Sequence, residues 1–332
     1  MNILITSVGR RTRLVELFQK ELNGLGKVIV TDCSPLAPAL YIADKYYIVP
    51  RIDEDEYLNT IKLICQQEKV NAIISLIDPE LSLLAKNVDE FEKVGTTVIV
   101  SPFNACEIWL DKFQSSEFCL KHGFLYPKTY SCLYEFQKSN ESDEIQFPVF
   151  IKPRKGSASL NIQKANSIDE LNILWKSNED MIIQNFIDGQ EFGVDVYVDL
   201  LSREVISIFI KEKISMRSGE TDKARSIISN KLYAVISRLV TSAGLIGPID
   251  VDVFEVNGEY YISEINPRFG GGYPLAYECG VNFPKYILNN LNGITNEPEI
   301  GRYDEDIYML KHEAIIVQNS VNVRRCLNNV KV

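Results

Sequence analysis

The stretch from Tyr260 to Pro274 reads YYISEINPRFGGGYP. A strand-like apolar run ends at Glu264, Asn266 follows two places later, and then come Arg268 and three glycines. Period-two alternation puts Glu264 and Asn266 on one face of a strand. Just upstream, PIDVDVFEV and EYYISEIN are joined by Asn257-Gly258, a strong hairpin signal. Pairing across that turn brings Asp252 beside Glu264. Asp252, Glu264 and Asn266 are hard oxygen donors without thiolate or imidazole, a set that suits Mg²⁺ or Mn²⁺ with nucleotide phosphates completing the shell. Two neighbouring carboxylates with no cation would be costly. Arg268 is placed to meet phosphate oxygens. Gly270, Gly271 and Gly272 are expected to give positive φ and close backbone approach to a substrate.

Two further stretches carry nucleotide chemistry. In FPVFIKPRKGSASLNI a strand leads to Lys152 and then to a loop with Gly156, Ser157 and Ser159. Small residues let backbone N–H groups approach phosphates, and lysine supplies a compact charge. The spacing is not that of a Walker loop. In MIIQNFIDGQEFGVDV an apolar strand reaches Gln184, Asn185, Phe186 and Ile187, with Glu191 shortly after. Such a linker can offer its backbone to an adenine edge, and the carboxylate can accept ribose hydroxyls; a plain strand and turn is the competing reading.

The elements that must position these groups change character along the chain. Up to about residue 100, strands (NILITSV, KVIVTD, NAIISLID, TTVIVS) alternate with helical segments, which predicts a parallel sheet with helices on both faces. Ligands bind at the C-terminal ends of such strands. There Asp78 and Glu80 either cap a helix or hold the ammonium of an acceptor substrate. The first turn, SVGRRTR, has one glycine where a dinucleotide fingerprint needs three, which disfavours a dehydrogenase. Arg10, Arg11 or Arg13 could instead hold an anion there. NACEIWLDKFQSSEFCLKHG reads as helices around Lys112, and SCLYEFQKSNESDEIQ as a polar mobile loop. From residue 147 the strands lengthen and alternate, with helices near 167–177 and 226–243, which predicts an antiparallel α+β region.

Composition is ordinary: 332 residues, 45% hydrophobic, 24% charged, net charge −10. No apolar run is long enough to span a membrane, and the N-terminus reads as a strand rather than a signal peptide. The acidic balance argues against a nucleic-acid or membrane binder. Seven cysteines without C-x-x-C spacing suggest reduced packing residues in a cytoplasmic protein. With only two histidines, a zinc site or a histidine base is poorly supported.

Taken in order, FIKPRKGSAS, IIQNFIDGQEFGVDV and IDVDVFEVNGEYYISEINPRFGGG resemble the ATP-grasp superfamily over residues 1 to about 300, in particular proteins like the carbamoyl-phosphate synthase large subunit. The resemblance implies an α/β and α+β protein: a Rossmann-like pre-ATP-grasp domain (1–105), a small subdomain with linker helices (106–188), a large subdomain with the metal site (189–300) and a C-terminal strand and tail (301–332). It places Lys112 and Lys152 on phosphates, residues 156–159 in a mobile flap, Gln184 to Ile187 at adenine and Glu191 at ribose. Asp252, Glu264 and Asn266 would hold the metal, and Arg268 would stabilise a phosphorylated intermediate. Lys223 lies where relatives place a basic residue near the γ-phosphate. The acceptor pocket draws candidates from Asp78, Glu80, Arg225 and Gly271.

The activity implied is an ATP- and Mg²⁺-dependent carboxylate–amine ligase working through an acyl phosphate. Its partners would be ATP, a small carboxylate and an amine or amino acid, with a homodimer left open. A bicarbonate-using carboxylase and a non-catalytic nucleotide scaffold are the alternatives.

Overall fold

The computed structural model describes residues 1–156, 162–176, 180–217, 219–320 and 323. Ser157, Ser159 and Cys326 lie outside the described residues. Three sheets organise the chain. The first holds β1 (Asn2–Thr6), β2 (Lys27–Asp32), β3 (Lys45–Ile48), β4 (Val70–Ser75) and β5 (Thr97–Val98), in the order β3-β2-β1-β4-β5. All its pairs are parallel. The apolar runs predict this, because strands covered on both faces need no polar alternation. β3 was not foreseen, so TTVIVS supplies the fifth strand rather than the fourth. The strand order reverses between β1 and β4, which opens a crevice above their C-terminal ends.

A four-stranded antiparallel sheet follows: β6 (Thr129–Tyr130), β7 (Val149–Pro153), β8 (Gln163–Ala165) and β9 (Met181–Asn185), ordered β6-β9-β7-β8. The segment expected to be a mobile loop instead forms the helix Leu133–Glu141. Fully buried Phe136 anchors it against Ile151 and Leu171, one apolar contact that the polar composition masked.

The largest sheet holds β10 (Gln190–Val198), β11 (Val205–Arg217), β12 (Glu220–Ile227), β13 (Gly247–Val256), β14 (Glu259–Asn266) and β15 (Tyr308–Leu310), ordered β14-β13-β10-β11-β12-β15 and antiparallel throughout. Asn257 and Gly258 take φ of 52° and 80°, the double left-handed turn that the dipeptide predicts. One sheet face is apolar. Val194, Val196, Ile208, Ile210, Val251 and Val253 pack on the helix Asn230–Ser242, which starts later than the 226 expected. The opposite face carries charge and looks toward the first sheet.

A shared core fixes the parallel domain to the large sheet. Phe18, on the helix Thr12–Leu22, meets Phe269 edge-on at 5.9 Å, and Tyr273 and Phe283 complete the cluster. Each such ring contributes roughly 1.5–3 kcal/mol through burial. The turn after β1 and the glycine loop after β14 are therefore held at a fixed separation.

Candidate active site

The three sheets enclose one cavity of about 900 Å³. One end is the nucleotide-sized slot between the small and large sheets. Its walls include Phe150, Phe186, Ile187 and Phe254, with Lys112 and Lys152 further in. The other end lies under the β1 and β4 crevice, lined by Ser7 to Arg11, Asp78, Glu220 and Gly271.

Lys112 is the first residue of its helix, and Asp111 caps that helix by accepting from the backbone of Phe113 and Gln114. Arg154 clamps Asp111 at 2.8 Å. Lys112 thereby reaches across to donate to the Gly156 carbonyl at 2.6 Å and approaches Glu264 at 3.6 Å. Lys152, on β7, is buried and makes no hydrogen bond or ion pair with any described residue. Burial pushes its ammonium down to about 8; Lys112 adds to the effect and Glu264 opposes it.

Register builds the carboxylate cluster. Asp252 sits directly opposite Glu264, and Asp250 opposite Asn266. A register shift after Asp252 places Ser263 and Glu264 together at a bulge beside the cavity. Like charges directly opposite repel, and burial raises the Asp252 carboxyl to about 7 although Lys213 lies 2.6 Å away. Two facing carboxylates and a neighbouring carboxamide oxygen fit a hard divalent cation. Among the described residues no group of three or more His, Cys, Asp or Glu side chains could hold a metal by itself, so phosphate and water would supply the remaining ligands.

Two lysines in this face were missed. Lys211 pairs with Asp195 at 2.5 Å, both fully buried, and burial raises the Asp195 carboxyl. Lys213 bridges Glu191 at 2.7 Å and Asp252, and these two acids raise it against the opposing effect of burial. The signal was present in IFIKEKIS: two lysines at period two in an apolar strand share one face. Gly193 completes the arrangement on β10. A Cβ there would lie 2.8 Å from Lys211 Cε and 3.2 Å from Lys213 Cε.

Gln184 to Ile187, Glu191, Gly156, Asp78, Arg268 and Gly271 all line the cavity. Arg268 donates to Asp78 at 2.9 Å, which ties the glycine-loop strand to the parallel domain. Three expectations are corrected. Glu80 is sealed inside, accepting from Ser7 and Ser75 at 2.7 Å each and from Tyr57, so it holds no substrate. Arg225 pairs with Glu212, which lies between Lys211 and Lys213 on β11 and so faces the other side of the sheet. Lys223, two residues before Arg225 on β12, is exposed on that side too and does not line the cavity. The glycine loop is also corrected: Gly270, Gly271 and Gly272 do not have positive φ. They are small because a Cβ at each would lie 2.3 Å from Asp250 Oδ1, 2.7 Å from Arg11 Nη1 and 2.6 Å from Lys211 Cε, respectively.

Cations gathered over paired carboxylates, between two antiparallel sheets, define a protein that handles a nucleoside triphosphate. Residues 3–99 match the PylC-like N-terminal domain, and residues 110–272 match the ATP-grasp domain. A carbamoyl-phosphate synthase of Methanobrevibacter smithii is 28% identical over 82% of this chain and 76% of its own length. A D-alanine–D-alanine ligase of Francisella philomiragia is 26% identical over 54% of this chain and 63% of its own length. The crystal structure of N5-carboxyaminoimidazole synthetase from Staphylococcus aureus complexed with ADP superposes with a TM-score of 0.71 at 17% identity, over 90% of this chain and 78% of that one. The chain is therefore an ATP-grasp protein, with that domain at residues 110–272. No helix among the described residues is long and apolar enough to cross a membrane.

Proposed function

We propose that this chain joins a small carboxylate to an amine through an acyl phosphate. A carboxylate oxygen attacks the γ-phosphorus of ATP, the bond to the β-phosphate oxygen breaks, and ADP leaves. The amine nitrogen then attacks the acyl carbon, the carbon–oxygen bond to phosphate breaks, phosphate leaves and the nitrogen gives up a proton. The observation that carries this reading is that phosphate-seeking lysines and a metal-competent carboxylate pair share one cavity with a second, arginine-lined end.

In this reading Lys112, Lys152 and Gly156 hold the phosphates. Gln184 to Ile187 take adenine and Glu191 takes ribose, steered by Lys213. Asp252, Glu264 and Asn266 would hold Mg²⁺, which supplies neutralisation of charge on the transferring phosphoryl group. Arg268, oriented by Asp78, stabilises the oxygens of the acyl phosphate. Working boundaries at 105, 188 and 300 separate the parallel domain, the two grasping subdomains and the tail, and the fold and composition suit a cytoplasmic protein without nucleic-acid or membrane partners.

The test is a screen of ADP release against pooled carboxylates and amines, followed by ¹⁸O-labelling of the active carboxylate. Label transferred to phosphate supports the acyl phosphate, and unlabelled phosphate refutes it. Bicarbonate is the second reading, favoured by the likeness to carbamoyl-phosphate synthase, and strict bicarbonate dependence would select it.

Lys152 gives a separate prediction. With its ammonium down to about 8, it is mostly neutral at about pH 8.5, and phosphates restore its proton. ATP binding there should take up a proton, seen as a buffer-dependent calorimetric enthalpy, whereas at about pH 6.5 the lysine is already charged and uptake vanishes. Lys152→Met should remove the uptake and weaken ATP by roughly 10- to 100-fold, the value of a charge-assisted bond. Adenosine binding should barely change. Equal losses for both ligands would give Lys152 a structural role.

A further inference from the structure

Among the described residues, two groups at the parallel-domain end of the cavity are left wholly or partly unpaired: the Arg11 guanidinium and one carboxylate oxygen of Asp78. The Arg11 guanidinium lies in the cavity wall over Gly271 and makes no hydrogen bond or ion pair with any described residue. Its flanking arginines are both occupied: Arg10 by Glu220 at 3.4 Å and Arg13 by Glu16 and Glu278. Asp78, in the same wall, is almost fully buried; its Oδ2 accepts from Arg268, but its Oδ1 accepts from no described residue. The two groups come from the turns after β1 and β4, neighbouring strands at the point where the strand order reverses.

We infer that Arg11 and Asp78 form the acceptor subsite for an α-amino acid, Arg11 binding the carboxylate that does not react and Asp78 Oδ1 receiving the amino group that does. The inference rests on the ligase reading above.

Three arguments carry it. A half-buried guanidinium with no paired carboxylate is unfavourable. Burial and the neighbouring Arg268 both disfavour the charge on Arg11, and Glu220, Asp250 and Asp78 compensate only from a distance. An anion brought by the substrate removes that penalty, and a planar carboxylate matches the guanidinium fork. Second, the nucleotide does not need Arg11, because Lys112 and Lys152 already serve the phosphate end. Third, the unpaired Arg11 guanidinium and the unpaired Asp78 Oδ1, not in contact with each other, complement a zwitterion. Ammonia or a simple alkylamine would satisfy Asp78 and leave Arg11 bare. Asp78 also holds Arg268, so an amino group on Oδ1 lies beside the residue assigned to the acyl phosphate, as attack requires.

The test uses the full chain. ATP, Mg²⁺ and hydroxylamine are first supplied with a panel of mono- and dicarboxylates; hydroxamate formation identifies the donor and tests the ligase reading without any amino acid. With that donor, the common L-amino acids are compared as acceptors with their decarboxylated amines. The expected result is a kcat/KM preference of about a hundredfold for one amino acid over its own amine, the value of a charge-assisted pair. Arg11→Met should raise the KM for that amino acid by a similar factor, leave kcat within a few-fold and abolish the preference. Equal use of the amine by the wild type overturns the inference while the ligase reading stands. Loss of hydroxamate formation in Arg11→Met also overturns it, by putting the guanidinium on the donor. No hydroxamate from any carboxylate in the wild type refutes both.

Discussion

Replacing Glu264 with Gln is expected to abolish Mg²⁺-dependent turnover, a loss of at least about a thousandfold, while thermal unfolding remains cooperative and near the wild-type midpoint. The two halves of that expectation have separate grounds. Glu264 contributes little to folding: its side chain is 34% exposed and its ion pair with Lys112 is long at 3.6 Å. Exposed pairs of this kind contribute roughly 0–1 kcal/mol. Its charge does matter to a cation, because the opposing carboxylate is compromised. Asp252 is already bridged to Lys213 and has its carboxyl raised to about 7. Gln keeps the shape and removes the anionic ligand. Asn266→Ala should act in the same direction, since it removes the neighbouring amide oxygen. Steady-state ADP release across a Mg²⁺ titration measures the effect, with circular dichroism as the folding control. Full activity in Glu264→Gln would sink the metal assignment.

Local sequence signals placed Asp252, Glu264 and Asn266 because every step of that inference is short in range. Asn257-Gly258 fixes one hairpin, the hairpin fixes one register, and alternation then puts the three side chains together. The parallel sheet was legible for a similar reason, since each buried strand is a continuous apolar run. What failed depended on neighbours distant in sequence or on a face inverted by one residue. Asp78 and Glu80 are two apart in a helix, so they point to different sides: Asp78 enters the cavity and Glu80 is buried under three hydroxyls. Arg225 and Lys223 were assigned to the site although the pairing of Arg225 with Glu212 puts them on the far face of the large sheet, with a register shift between Lys213 and Ser215 nearby. Lys211 and Lys213 take that place, and their fit depends on Gly193, some twenty residues away and silent in any local pattern. The glycine loop was found for the wrong reason. Backbone freedom was expected, whereas the structure uses the missing side chains as room for Asp250, Arg11 and Lys211.

That room makes Gly271→Val the second change with a large expected effect. Its φ is not left-handed, so a side chain imposes no backbone strain. A Cβ would stand 2.7 Å from Arg11 Nη1, the far end of a flexible side chain that can swing away. The fold therefore survives, and the guanidinium is displaced from its place in the cavity. ATP affinity should be nearly unchanged, because Gly271 lies at the end remote from Lys112 and Lys152. The kcat/KM for the acceptor amino acid in substrate-stimulated ADP release should fall by about a hundredfold, the value of the charge-assisted pair lost when Arg11 no longer meets the acceptor's carboxylate. Gly271→Ala should fall between the two. A double-mutant cycle identifies the cause. If Val acts by moving Arg11, adding it to Arg11→Met costs little more than Arg11→Met alone. If instead the loop holds a substrate anion through its own N–H groups, the two losses multiply. Normal turnover in Gly271→Val would reduce the glycine run to a connection between β14 and the helix Tyr273–Glu278.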